Sequence, residues 1–182
     1  MDSDTMLVDQ VLEGNIDSFN IIINKYENLI FKFIYNMIRD REAAEDITQE
    51  TFITVYDKLY LYKKEYKFIN WVYQIAKNKT VDYVRKYRKV YEVNIEDSNE
   101  IISKDISPDD YTIYKETKDN IEKFINSLES TDRQIIILKY SQGLTFLDIS
   151  RIMNLSESTV KRKFYKMREE FSGINKEKER CN

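Results

Sequence analysis

The chain has 182 residues, 29 basic and 32 acidic side chains, a formal net charge of −3, no histidine and one cysteine, Cys181. That inventory excludes zinc sites, Cys-His nucleophiles and disulfide frameworks, and it fits a reducing compartment. Three glycines and one proline leave little room for hairpins or phosphate-cradling glycine loops, so the expected fold class is all-α.

Four helices are expected before residue 92. The first covers residues 4–13, places Leu7, Val8, Val11 and Leu12 on one side and ends at Gly14. Asp17 or Ser18 caps a long second helix to about Arg39, with Phe19, Ile22, Ile23, Tyr26, Ile30, Phe33, Ile34 and Met37 near helical spacing. Asp40 opens the third. Its Ala43, Ile47, Phe52, Val55 and Leu59 face inward, and Glu42, Asp46, Gln49 and Glu50 form a polar, acidic outer face.

The fourth helix, from about Phe68 to Val90, begins aromatic and ends basic. A tryptophan and three tyrosines interleaved with cations suit bases that stack and phosphates that pair, the pattern of a single-stranded nucleic-acid surface. Aromatics at helical spacing also build cores, and Trp71 and Ile75 are expected to be at least partly buried.

Residues 92–110, EVNIEDSNEIISKDISPDD, hold no sustained helical period and contain the one proline, Pro108. They read as a flexible acidic linker between an N-terminal helical domain, 1–91, and a C-terminal domain, 111–174, followed by a charged tail, 175–182.

Within the C-terminal domain, residues 144–168 have the spacing of two short helices crossing at a tight turn. Thr145 caps the first, with Asp148 three residues on, and Phe146, Ile149, Ile152 and Met153 face inward. Ser150 permits close helix approach. Asn154 tolerates the left-handed conformation that ends the helix, Leu155 plugs the corner and Ser156 caps the second helix. There Val160, Phe164, Met167 and Phe171 form one apolar stripe, leaving Ser158, Thr159, Lys161, Arg162, Lys163, Tyr165 and Lys166 off it. A cylinder with hydroxyls and cations on its free side suits the major groove of DNA.

The small net charge conceals blocks of opposite sign. Residues 1–60 hold 12 acids and 5 bases, and residues 92–119 hold nine acids and three bases. Residues 77–89 hold six bases and one acid, and residues 161–168 carry five bases and no acid. Two separated basic helices on an otherwise acidic chain fit two DNA contacts and a basic protein partner. No apolar run approaches the ~18 to 20 residues of a membrane span, and the acidic, polar N-terminus is unlike a signal peptide, so the chain reads as cytoplasmic with no membrane insertion.

Three segments in this order resemble bacterial RNA polymerase sigma factors of the small, extracytoplasmic-function (group IV) type: AAEDITQETFI at 43–53, FINWVYQIAKNKTVDYVRKYRK at 68–89, and LESTDRQIIILKYSQGLTFLDISRIMNLSESTVKRKFYKMRE at 128–169. The first is similar to the family's core-polymerase-binding signature, the second to its promoter-melting and minus-ten-reading helix, the third to its minus-thirty-five-reading domain. The resemblance implies that Asp46, Gln49 and Glu50 contact the clamp helices of the polymerase's largest subunit. It implies a minus-ten surface of Trp71, Asn78, Lys79, Asp82, Arg85 and Arg88, with Tyr60, Tyr62 and Tyr66 in a loop holding an unstacked base. It places Ser158, Thr159, Lys161, Arg162 and Lys163 at the start of the recognition helix.

The chain departs from the family at Ser158 and Asn154, where glycine is frequent. The implied activity is promoter selection by assembly with core polymerase on duplex and melted DNA, without catalysis, cofactor or metal. The family is commonly held inactive by an anti-sigma factor, and no residue here identifies one. The alternative is a stand-alone helix-turn-helix regulator, although the first 90 residues show neither alternating strands nor a glycine-rich turn. A small hydrolase has only carboxylate chemistry left to it, and adjacent Glu45 and Asp46 point apart on a helix.

Overall fold

The computed structural model describes residues 3–91 and 120–181. Among the described residues there is no strand. The helices are α1 (Ser3–Leu12), α2 (Ile16–Ile38), α3 (Arg41–Asp57), α4 (Phe68–Tyr91), α5 (described over 120–127), α6 (Ser130–Ile136), α7 (Phe146–Met153) and α8 (Glu157–Cys181). A single 3-10 turn, Leu59–Leu61, follows α3, and α6 widens into a π-helical turn over Ile137–Ser141. The expected linker, 92–110, lies outside the described residues. Helix α8 runs on to Cys181 through residues rich in Lys and Glu, so 175–181 continue the helix.

Local chemistry explains most helix ends. Asp40 caps α3 by accepting from the Ala43 N–H at 3.0 Å, and Thr145 caps α7 by accepting from the Asp148 N–H at 3.1 Å. The cap of α2 is Asn15, whose side chain accepts from the Ser18 N–H at 3.3 Å, and not Asp17 or Ser18. The Ser18 hydroxyl instead donates to Gln10 at 2.7 Å, tying α2 back to α1. Gly14, at φ +100°, makes the turn between them, a conformation costly for any residue with a Cβ.

The N-terminal half buries the expected stripe of α2, with Ile22, Ile30, Phe33 and Ile34 inaccessible to solvent. Each such side chain contributes about 1.5–3 kcal/mol by leaving water. Ala43, Ile47, Phe52 and Val55 of α3 and Leu59 beyond it close over them, as do Phe68, Val72, Tyr73 and Ala76 of α4. Leu12, the last residue of α1, departs from the expected inward stripe and is half exposed, while Val8 and Val11 are buried. Asp4 is buried at the start of α1, where it accepts from the Tyr26 hydroxyl and from Lys25 at 2.5 Å. Burial, with Asp4 beside it, pushes the Tyr26 hydroxyl up to about 12.

The C-terminal half packs α6, α7 and α8 around Ile135, Leu138, Ile149, Ile152, Val160, Phe164 and Met167. Phe146 and Met153, expected inside, are half-buried. Phe146 sits at the rim, its ring edge-on to Phe164 with centroids 5.1 Å apart. Helix α7 lies across α4, the π turn touches α2, and the buried apolar residues of the two halves form one cluster.

Asn154 has φ 54° and ψ 46°, and this left-handed residue lets α8 leave at the angle a helix-turn-helix needs. Asn154→Ala should lower unfolding free energy by about 1–2 kcal/mol in urea titrations, whereas Asn154→Gly should leave it nearly unchanged.

Candidate nucleic-acid and polymerase interface

Three exposed surfaces follow from how the helices are buried. On α3 the inward positions leave Asp46, Gln49 and Glu50 exposed together. Glu50 reaches across to α4 and pairs with Lys79 at 3.2 Å, so one end of the acidic face is tied to the helix expected to read DNA.

On α4 successive residues turn by about 100°, which brings Trp71, Asn78, Asp82 and Arg85 within about 60° of arc. Asn78, Asp82 and Arg85 are exposed, and Asp82 and Arg85 pair at 2.8 Å. Arg88 lies on the same helix, its side chain outside the described residues. Trp71 is half-buried, with its ring 5.7 Å from Tyr62 and 5.9 Å from Phe68. It borders the strip as the edge of an aromatic cluster and is not a free stacking platform. Ile75 is half-buried on the same strip.

The loop between the 3-10 turn and α4 separates the three tyrosines. Tyr62 is half-buried, edge-on to Phe68 at 5.1 Å, and its hydroxyl donates to the Tyr66 carbonyl at 2.5 Å, so it shapes the loop. Tyr60 and Tyr66 are the more exposed pair, at 71% and 45%, with Arg151 lying over one face of the Tyr66 ring. Lys64 pins the loop to α1 through Asp9 at 2.5 Å.

On α8, Ser156 caps the helix by accepting from the Thr159 N–H at 3.2 Å. Ser158, Lys161 and Arg162 are exposed, and Thr159 is half-buried with its hydroxyl 2.8 Å from that of Ser156. Lys161 pairs with Glu157 at 2.6 Å, which raises its pKa. Lys163 turns back to Asp132 at 2.6 Å, clipping α8 to α6. Ser158, Lys161 and Arg162 thus make the open face of the helix.

Sequence reasoning missed the seam between the halves. Lys67, just before α4, and Asn70, Gln74 and Lys77 of α4 meet α7: Lys67 and Asn70 donate to the Asp148 carboxylate at 3.1 and 2.8 Å, and Gln74 and Lys77 to the Arg151 and Ile152 carbonyls at 2.7 and 3.4 Å. The Tyr73 hydroxyl donates to Gln142 at 2.9 Å, and burial pushes its pKa up. The Arg151 guanidinium lies over the Tyr66 ring at 4.9 Å. The run of polar residues at i, i+3, i+7 and i+10 from Lys67 was the available signal, and it was indistinguishable from a solvated face.

Residues 22–90 match Sigma-70 region 2, and residues 118–170 match Sigma-70 region 4. The chain is 31% identical to the extracytoplasmic-function (ECF) RNA polymerase sigma factor SigW of Bacillus subtilis over 170 residues, spanning 89% of this chain and 91% of that protein. The chain belongs to the ECF sigma factors. It is also 29% identical to SigM of Bacillus subtilis over 155 residues, 84% of this chain and 92% of that one.

Two solved structures share the fold. CnrH, in complex with the cytosolic domain of CnrY, superposes with a TM-score of 0.71 at 16% identity over 96% of this chain and 98% of that chain. RpoE of Bartonella quintana, in complex with the anti-sigma factor NepR, superposes with a TM-score of 0.68 at 21% identity over 87% of this chain and 96% of that chain.

An alternative sigma factor binds core RNA polymerase and directs it to specific promoters. The region 2 match over the N-terminal half removes the stand-alone regulator. Among the described residues no helix of this sigma factor is long and apolar enough to cross a membrane.

Asp148 is the buried charge of the seam, its side chain 4% exposed. Burial pushes its pKa up, but hydrogen bonds from Asn70, Thr145 and Lys67 outweigh that and hold it below the ordinary 3.8. A depressed carboxyl stabilises the folded state above its unfolded pKa, and that contribution fades as pH falls through the folded value. The stability difference between wild type and Asp148→Asn should therefore be constant above about pH 5 and shrink below about pH 4, read from urea midpoints across pH.

Proposed function

We propose that the three exposed surfaces divide the work of promoter selection. Asp46, Gln49 and Glu50 dock this sigma factor on the clamp helices of the polymerase's largest subunit, a contact between an acidic helix face and a basic partner. Trp71, Asn78, Lys79, Asp82, Arg85 and Arg88 line the path of the opened minus-ten strand. Tyr60 and Tyr66 hold an unstacked base beside it, on a loop whose shape Tyr62 sets. Base stacking of this kind contributes on the order of 1–3 kcal/mol per base, enough to favour the melted strand locally. Ser158, Thr159, Lys161 and Arg162 read the minus-thirty-five element in the major groove, and Lys163 steadies the helix that carries them.

The observation that carries this reading is that region 2 and region 4 each present an exposed polar face, on α3 and α4 and on α8, while their apolar stripes are buried. The domain division 1–91, 92–110 and 111–174 follows it, with the acidic segment 92–110 passing toward the polymerase's catalytic channel. The protein works in the cytoplasm and makes or breaks no covalent bond itself. An anti-sigma factor is the regulator it shares with the Bartonella quintana relative, whose complex with NepR supports that reading.

The direct test is co-elution of the purified chain with bacterial core polymerase and run-off transcription from the promoter upstream of its own gene. A discrete start site is expected, and its absence despite co-elution would overturn the promoter assignment. Asp46→Ala with Gln49→Ala should weaken core binding by ~100-fold while leaving the circular dichroism spectrum unchanged. Lys161→Ala with Arg162→Ala should leave core binding intact, weaken promoter use, and reduce the log-log salt slope of promoter binding by about 2.

A further inference from the structure

Helix α1 lies ahead of the region 2 match, which begins at residue 22. Its apolar packing is modest: Val8 and Val11 are buried, while Met6 and Leu12 are half exposed. A terminal helix with so little apolar contact frays unless something else ties it down. Polar contacts do that at three points. Asp4, 5% exposed, accepts from the Tyr26 hydroxyl and from Lys25 on α2. Gln10 accepts from the Ser18 hydroxyl at 2.7 Å. Asp9 accepts from Lys64 at 2.5 Å, and Lys64 belongs to the loop between the 3-10 turn and α4.

These contacts differ in kind. Asp4 is a buried carboxylate, and sliding or turning α1 would strand it without Lys25 and Tyr26, which fixes the register of α1 on α2. Asp9 stands about 7.5 Å further along the helix axis and about 100° round from Val8, off the buried stripe, where it reaches a neighbouring element. The pair it makes with Lys64 is partly exposed, 35% and 49% at the two side chains, so it adds little to stability. Its effect is on position. Lys64 lies between Tyr60 and Tyr66 in the chain, and the 3-10 turn that carries Tyr60 also packs on α1. Within the loop the Tyr62 hydroxyl donates to the Tyr66 carbonyl. The loop is therefore closed on itself by Tyr62 and set against the helical core by α1.

We infer that α1 is a positioning element for the base-holding loop: Asp4 fixes α1 on α2, and Asp9, through Lys64, fixes the loop that presents Tyr60 and Tyr66. A pocket for an unstacked base discriminates only while its groups are held within about 0.5 Å of the productive geometry, and a loop that shifts accepts wrong bases as readily as right ones. The tether therefore acts on the choice of base at one minus-ten position, and not on docking or on the minus-thirty-five element. In this role neither Asp9 nor Lys64 touches a base. The inference rests on the reading of Tyr60 and Tyr66 as base-holding groups and adds to it the residues that aim them.

The experiment uses holoenzyme reconstituted from the full chain and core polymerase, on the promoter located by run-off transcription and on its single-base variants across the minus-ten and minus-thirty-five elements. Asp9→Ala and Lys64→Gln should each lower the ratio of transcript from the best base to the next best by about 2- to 5-fold, the scale of an exposed ion pair. Both losses should fall at the same minus-ten position, with core affinity and minus-thirty-five discrimination unchanged. The exchanged pair, Asp9→Lys with Lys64→Asp, should restore the ratio. Lys64→Gln leaves α1 itself intact, so it decides the outcome if Asp9→Ala loses helicity. A full wild-type ratio in a folded Lys64→Gln would overturn the inference. So would a loss spread evenly over all positions with a smaller salt slope, the signature of a lysine on phosphate. Tyr60→Ala with Tyr66→Ala is the separate control. If that pair keeps the wild-type ratio, the base-holding reading fails and the inference with it, whereas a loss there without a loss in Asp9→Ala and Lys64→Gln overturns the part of α1 alone.

Discussion

The burial of α4 on one side is the constraint from which its other surfaces follow. Phe68, Val72, Tyr73 and Ala76 are fixed in the apolar cluster against α2 and α3, and a helix turning about 100° per residue cannot then choose where its remaining side chains point. Trp71, Asn78, Asp82 and Arg85 fall on one face because of that phase, and Asn70, Gln74 and Lys77 on another. Phe33, meeting Tyr73 edge-on with centroids 5.4 Å apart, is part of the lock. A core substitution that rotated α4 by one position would move every group on both faces.

Charge is organised by the same logic. The acidic helix α3 and the basic end of α4 lie side by side, and Lys79 with Glu50 bridges them. An exposed pair of this kind contributes little stability, so its importance is directional: it keeps one cation of α4 aligned with the acidic face. A net charge near neutrality is therefore compatible with DNA binding, because the local field that steers a phosphate is set by side chains within about a Debye length of ~10 Å.

Most of the helix boundaries were legible because they rest on local chemistry. Asp40, Thr145, Asn154 and Ser156 act within three residues of themselves, and nothing distant competes with that. The α2 cap was misplaced by two or three residues because Asp17 and Ser18 are equally good capping types, and what separates them from Asn15 is a tertiary contact, Ser18 to Gln10. Phe146 and Tyr62 show the same limit. Periodicity identifies an aromatic as suited to burial or to stacking, but only neighbouring rings decide which, and both lie against ring clusters formed after the chain has folded. The seam was invisible for a stronger reason: Asp148 and Asn70 are 78 residues apart, and each on its own helix reads as ordinary polar surface.

The polar part of that seam sets it apart from the apolar cluster that the two halves also share. An apolar seam of the same extent would gain from burial alone, about 25 cal/mol for each Å² removed from water, and would hold the halves together regardless of what approached. A seam of lysines, amides, a carboxylate and helix carbonyls gains much less, since each group exchanges a water hydrogen bond for a protein one, and one amide oxygen makes no exchange at all. Such a contact is specific in geometry and weak in net energy, and its groups can be satisfied equally well by another polar partner.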